Sequence, residues 1–225
     1  MNTTRIVLCL IVAAALGAVH APTSLQAFSF QESEDRERRE EAFKAEERAA
    51  EIQRLLAVEC DRKRKNSKIA LLIGERVEEG GLLYEPQKYG PIFQEISGRL
   101  RALGLKTYTQ EEIRSQIAAE EVRAFLNNDV EAAESAARRL SAPYLLRGMI
   151  KSRIRLNPVI KIDEVFVTMA FTLVTASGKT VSSVTAGGDS YSGADPMAVA
   201  LDIVRREADL AVARIYSDFC RYGSK

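Results

Sequence analysis

The sequence predicts an α/β (α+β) domain built on a single mixed β-sheet, and three observations predict it. Ile69-Ala70-Leu71-Leu72-Ile73 is a continuous apolar run of strand length, as expected of a strand covered on both faces. Residues 144–186 hold three stretches of alternating apolar and polar character separated by turn residues, the pattern of an antiparallel meander. Between and after these lie segments whose apolar residues recur every three or four positions, the period of a helix packed on a sheet. The predicted order is β-α-β-α(α)-β-β-β-α, with the helix-joined early strands parallel and the last three antiparallel.

Residues 1–27 read as an export signal with cleavage after Ala21 or Ala27. Arg5 gives the positive start, and Ile6 to Val19 is an apolar run of about 14 residues, short of the roughly 20 that span a membrane. An uncleaved anchor is the competing reading. Cys9 lacks the small residues that precede a lipid-modified cysteine. Cleavage would remove His20, the chain's single histidine. A chain without imidazole has no Ser-His-Asp or Cys-His site and no His-containing zinc site. Carboxylate-only catalysis and oxygen-ligand Mg²⁺ or Ca²⁺ sites survive this filter, while the expectation is a non-enzyme with no cofactor and no metal. Without Arg5 the 32 basic residues become 31, equal to the 31 acidic ones, a balance that disfavours nucleic acid as a partner. The mature cysteines, Cys60 and Cys220, are an even pair suited to one disulfide in an oxidising compartment; two unpaired thiols are the alternative.

Residues 28–66 form a charged helical arm and a basic linker. Glu32 to Arg48 is almost continuous charge, and Glu34–Arg38 and Glu40–Lys44 stand one turn apart. Ile52, Leu55 and Leu56 add a short apolar stripe, so the arm is solvated at its start and docked or self-associating near its end. Arg62-Lys63-Arg64-Lys65 reads as a solvated linker or as a contact for anionic lipid or peptidoglycan.

The αβ domain occupies 67–222. After the first strand, Glu75 to Gly90 carries Gly80-Gly81, Pro86 and Gly90 and reads as a long loop, with Tyr84 and Tyr89 as candidate contact residues. Pro91 opens a helix carrying Ile92, Phe93, Ile96, Leu100 and Leu103, and Gly104 stops it. Lys106 to Thr109 is a brief strand. Thr109 and Glu112 form a capping box for one helix running through Ile113, Ile117, Val122 and Phe125 to Asn127, and Asp129 caps another over Val130 to Leu140.

In Tyr144 to Leu156, the residues Leu146, Gly148, Ile150, Ser152, Ile154 and Leu156 share one face. Arg147, Lys151, Arg153 and Arg155 share the other, giving a cationic outer surface. Val165 to Leu173 is the next strand, Ser177-Gly178-Lys179 turns the chain, and Val181 to Ala186 pairs before Gly187-Gly188 ends it. Ser177-Gly178-Lys179-Thr180 is not a phosphate-binding loop, because Leu173 stands where that motif needs glycine and the segment joins two strands. Asp195 caps a final helix whose stripe is Met197, Leu201, Val204, Ala208, Ala211, Ile215 and Phe219. Asp163, Glu164 and Asp189 are carboxylates near strand ends, read as solvated.

Ala136-Ala137-Arg138-Arg139-Leu140-Ser141-Ala142-Pro143-Tyr144-Leu145-Leu146-Arg147-Gly148, a small-residue helix turning into a strand, resembles the bacterial envelope domain of three known proteins. These are the TolB amino-terminal domain, the curli-secretion component CsgG and flagellar assembly protein T. The order of elements over about 67–222 fits the same domain. The resemblance implies a non-catalytic envelope module acting through protein contacts, with no catalytic residues to carry over. The short hairpin connections and absent lipid anchor signal set it apart from CsgG-like pores. The sequence thus points to a periplasmic or secreted interaction module with an envelope-protein partner, peripheral contact with membrane or peptidoglycan, or self-association. A small-ligand or anion receptor using the cationic strand face is the alternative.

Overall fold

The computed structural model describes residues 30–79, 82–84, 91–127, 130–192 and 195–223. The proposed signal segment and Tyr89 lie outside these residues, as do Asp129 and the side chain of Tyr84. The element order is α1 (Phe30–Leu56), α2 (Arg62–Lys65), β1 (Lys68–Glu79), β2 (Leu82–Tyr84), α3 (Pro91–Ala102), β3 (Lys106–Thr107), α4 (Gln110–Gln116), α5 (Ala119–Leu126), α6 (Val130–Leu140), β4 (Tyr144–Leu156), β5 (Asp163–Thr175), β6 (Thr180–Ser192) and α7 (Pro196–Arg221). The chain divides into two units, Met1–Ala42 and Phe43–Lys225. In the first, the described residues belong to α1 and are almost all exposed. All that follows concerns the second.

One mixed sheet runs β2-β1-β4-β5-β6, with β3 also paired to β1. β1 is parallel to β3 and β4, and β4, β5 and β6 form the expected antiparallel meander. The odd-numbered residues of β1, Ile69, Leu71, Ile73 and Val77, face a large core shared with α3 and α7. Its deepest side chains include Phe171, Phe219, Ile96 and Leu100. The opposite face at the start of β1 and β4 carries Ala70, Leu72 and Leu145 against Ile113, Val122, Ala136 and Leu140 of α4, α5 and α6. Both faces are covered here, which is why this part of β1 is apolar at every position.

Several local signals act as read. Thr109 and Glu112 make both bonds of the capping box. Asp195 accepts from the backbone amides of Met197 and Ala198 at 3.0 and 3.1 Å, with Pro196 in the first helical turn. Gly104 takes the left-handed conformation (φ 81°) that ends α3.

Four readings need correction. Residues 75–79, expected in a loop, continue β1, and 82–84 return as β2, pairing Val77 with Tyr84. The strand persists because β4 offers hydrogen-bonding partners as far as Glu79 and Ile154, and because Val77 reaches the core. Gly187-Gly188 do not end β6, which extends to Ser192. A Cβ on Gly187 would lie 2.4 Å from the Val167 carbonyl oxygen, so glycine permits a close strand approach there. The helix expected from 110 to 127 is two, because Ile117 turns extended (φ −121°, ψ 129°) to bury its side chain, and Ala118 restarts the hydrogen-bond ladder. Arg62–Lys65 is a helical turn capped by Asp61 rather than an irregular linker.

At the margins of the core, Leu156 and Met197, expected on apolar stripes, are 59% and 45% exposed, each at the outer end of its element. At the end of α1 and just after it, Leu56, Val58 and Cys60 pack on the main core, and Cys60 is disulfide-bonded to Cys220 across 160 residues of sequence.

Candidate interaction face on the outer sheet surface

The strands are longer than the helices that cover them. On the outer face α5 ends at Leu126, where a Cβ on Gly74 would come within 2.8 Å of the Leu126 side chain, so no space separates helix and strand there. Arg76 donates to Asn127 just past that helix at 2.8 Å. Beyond this border the outer rows of β1, β4, β5 and β6 have no helix over them among the described residues. The register assigns each row. Arg76, Lys151, Thr168 and Gly187 form one, Glu78, Arg153, Phe166 and Asp189 the next, and Arg155, Glu164 and Tyr191 the last.

The sequence changes character at the same border. β1 switches at Gly74 from continuous apolar residues to alternation, with Val77 inward and Arg76 and Glu78 outward. β4 switches likewise, its last seven positions alternating buried and exposed until Leu156. A strand with one wet face needs apolar residues on the other face alone.

Lys151, Arg153 and Arg155 are exposed, and none of the three makes an ion pair among the described residues. The Arg153 guanidinium lies 5.9 Å from the centre of the Phe166 ring, a cation–π distance. Arg147, read from sequence as part of the same cationic surface, lies in the covered half instead. It is half-buried and in register with Leu72 of the small core. Tyr84 has its backbone on the far edge of the sheet, paired to Val77. The candidate surface is thus Lys151, Arg153 and Arg155 with three neighbours that the sequence alone does not single out: Arg76, Glu78 and Phe166. The two β1 residues were hidden by reading 75–90 as a loop. Phe166 was legible as an aromatic at an outward position of an alternating strand.

Arg76, Glu78, Lys151, Arg153, Phe166 and Thr168 line a shallow groove of about 290 Å³. It mixes three cations, one carboxylate and an aromatic ring, which suits salt-bridging and ring stacking with a partner chain. Among the described residues there is no cluster of three or more His, Cys, Asp or Glu that could hold a metal, and no helix long and apolar enough to cross a membrane.

The basic turn is spent on the fold itself. Arg64 donates to the Phe219 and Cys220 carbonyls at 2.8 and 3.0 Å, placing a cation at the carbonyl end of α7. Lys65 lies 5.7 Å from the Tyr216 ring centre.

No family model matches this chain, and no curated protein matches it. Solved structures do. The hypothetical protein CT253 from Chlamydia trachomatis has 14% identity and a TM-score of 0.46, covering 68% of this chain and 98% of that one. Lipoprotein GNA1162 from Neisseria meningitidis has 13% identity and a TM-score of 0.39, covering 62% and 94%. The LpoB C-terminal domain from Salmonella enterica has 12% identity and a TM-score of 0.36, covering 61% and 91%.

Proposed function

We propose that this chain is an exported, non-catalytic interaction module of the bacterial cell envelope, working in the periplasm. It grips an envelope protein through the uncovered outer face of its sheet. The observation that carries this reading is the row of three cations, Lys151, Arg153 and Arg155, left exposed and without ion pairs among the described residues, beside Phe166. Lysine and arginine on a rigid sheet, with a ring between them, favour an acidic and partly apolar partner surface. The export signal read in residues 1–27 supports the compartment, and the sequence resemblance to the TolB amino-terminal, CsgG and flagellar assembly protein T domain supports the same class of role.

A free small anion fits this face less well. Glu78 stands in register beside Arg153, and Arg76 is already engaged by Asn127, so the groove offers no concentrated positive site. A protein partner can place a cation opposite Glu78 and carboxylates opposite Lys151 and Arg155.

A photoreactive residue placed at Thr168, in the middle of the face, tests this in living cells. The expected result is a discrete crosslinked adduct that disappears when Lys151→Glu and Arg153→Glu are combined. Absence of any discrete adduct, or an adduct indifferent to that charge reversal, would overturn the proposal.

A further inference from the structure

The hairpin joining β4 and β5 ends in an exposed apolar tip that neither the core nor the sheet face explains. Leu156, Val159, Ile160 and Ile162 are 59%, 84%, 49% and 42% exposed. Single exposed apolar residues are ordinary, but four within seven positions at one protruding end are not.

The tip is built rather than loose. The Asn157 side-chain oxygen accepts from the amides of Val159 and Ile160 at 3.0 and 3.2 Å, the Asn157 amide donates to the Ile162 carbonyl at 2.9 Å, and Lys161 takes the left-handed conformation (φ 57°). These bonds hold Val159 and Ile160 outward at the apex. Lys161 lies exposed within the turn, Arg155 and Glu164 stand in register on the outer face, and Asp163 is in register with Leu156. From 151 to 164 the hairpin carries four basic residues, Lys151, Arg153, Arg155 and Lys161, and two acidic ones, Asp163 and Glu164.

We infer that this tip is a membrane-surface anchor: Val159, Ile160 and Ile162 enter the interfacial region of an anionic lipid bilayer while Lys161 and Arg155 meet the headgroups. A hairpin turn whose Val159 is 84% exposed fits a deformable lipid surface, whereas docking into a protein would require a matching cavity. An exposed apolar apex on a hairpin with four basic residues against two acidic ones matches the layering of acyl chains beneath anionic headgroups. The long lysine and arginine side chains can keep their charges at headgroup level while their stems follow the apolar residues inward. The inference shares only Arg155 with the proposed protein contact, which is centred on Lys151, Arg153 and Phe166 in the middle of the sheet face.

The chain contains no tryptophan, so Ile160→Trp makes a single fluorophore at the tip of the full-length protein. Vesicles of phosphatidylcholine mixed with phosphatidylglycerol are expected to shift its emission to the blue, and brominated acyl chains to quench it. Ser177→Trp, in the turn at the opposite end of the sheet, is expected to show neither effect. Val159→Asp is expected to lower vesicle affinity by roughly tenfold or more. Arg155→Gln and Lys161→Gln, which leave the four apolar tip residues in place, should each lower it by about fivefold. Unshifted emission from the tip fluorophore would overturn the inference, as would equal response to vesicles of phosphatidylcholine alone. A shift that grows with protein concentration without vesicles would also overturn it, assigning the tip to a second copy of the chain. Loss of Thr168 crosslinking with vesicle binding intact would strike the protein-contact proposal alone.

Discussion

The guanidinium of Arg48 in α1 reaches the carboxylate of Glu207 in α7 at 2.9 Å, and Glu207 is only 7% exposed. Arg48 also donates to the Arg206 carbonyl at 3.1 Å, and one turn further along Glu51 pairs with Arg214 at 2.8 Å. These contacts dock the end of the charged arm. Their energetic centre is Glu207, because a buried carboxylate stripped of a partner is costly. Its second partner, Arg206 at 3.2 Å, remains when Arg48 is removed. Arg48→Ala is therefore expected to cost about 2 kcal/mol, below the range for a fully orphaned buried charge. Adding Glu207→Gln should recover part of that loss. A double-mutant cycle by urea denaturation reads the coupling; strict additivity would show that the pair does not hold the arm.

Reduction of the Cys60–Cys220 bond should destabilise the protein by up to about 5 kcal/mol, the chain-entropy value for a loop of this size. The bond joins the segment after α1 to the end of α7, where Arg64 already meets the last carbonyls, so two independent ties fix the same corner. Thermal unfolding with and without reductant measures the effect, and Cys60→Ser/Cys220→Ser separates loss of the crosslink from exchange chemistry. If the reduced protein melts with the oxidised one, the other tie suffices.

Much of this architecture was legible because the sequence obeys the coverage of each face. Ile69 to Ile73 is apolar throughout since both sheet faces are packed there, and the caps at Thr109 and Asp195 are local chemistry that any context would preserve. The misread segments have their causes at a distance. Glu75 to Glu79 look like a loop because no residue within them records that β4 lies alongside as far as Ile154. Gly187 looks like a terminator, whereas its smallness answers the Val167 carbonyl of the neighbouring strand. The cationic face was visible in β4 alone as alternating Lys and Arg. Its limit at Arg147 was not, because the end of α5 sets that limit. The apolar tip was present in the letters from Leu156 to Ile162, but a short turn between strands gives no sign of whether its side chains fold back or stand out.

Acid should loosen the corner where β1 meets α4. Glu112 accepts from the Lys68 ammonium and, at 2.7 Å, from the Thr109 amide. The Lys68 bond first and the Thr109 backbone bond second hold the Glu112 carboxyl below the usual carboxylate range. Glu95 is lowered in the same way, first by its bond from Arg99 and then, against the opposing effect of burial, by the charges of Arg99 and Arg205. Both groups release their protons more readily folded than unfolded, so between the two pKa values the unfolded chain binds more protons and stability rises with pH. Their contribution is complete above the unfolded carboxylate range of about 4 to 4.5 and is lost as pH falls through the lower folded values. Glu112→Gln should therefore melt below the parent protein at neutral pH, with the gap closing under about pH 4. Melting curves of the two proteins across that range test the point. A gap that stays constant as the carboxylates protonate would mean that the residue stabilises α4 through the shape of its capping bond, which glutamine keeps in part, and not through its charge.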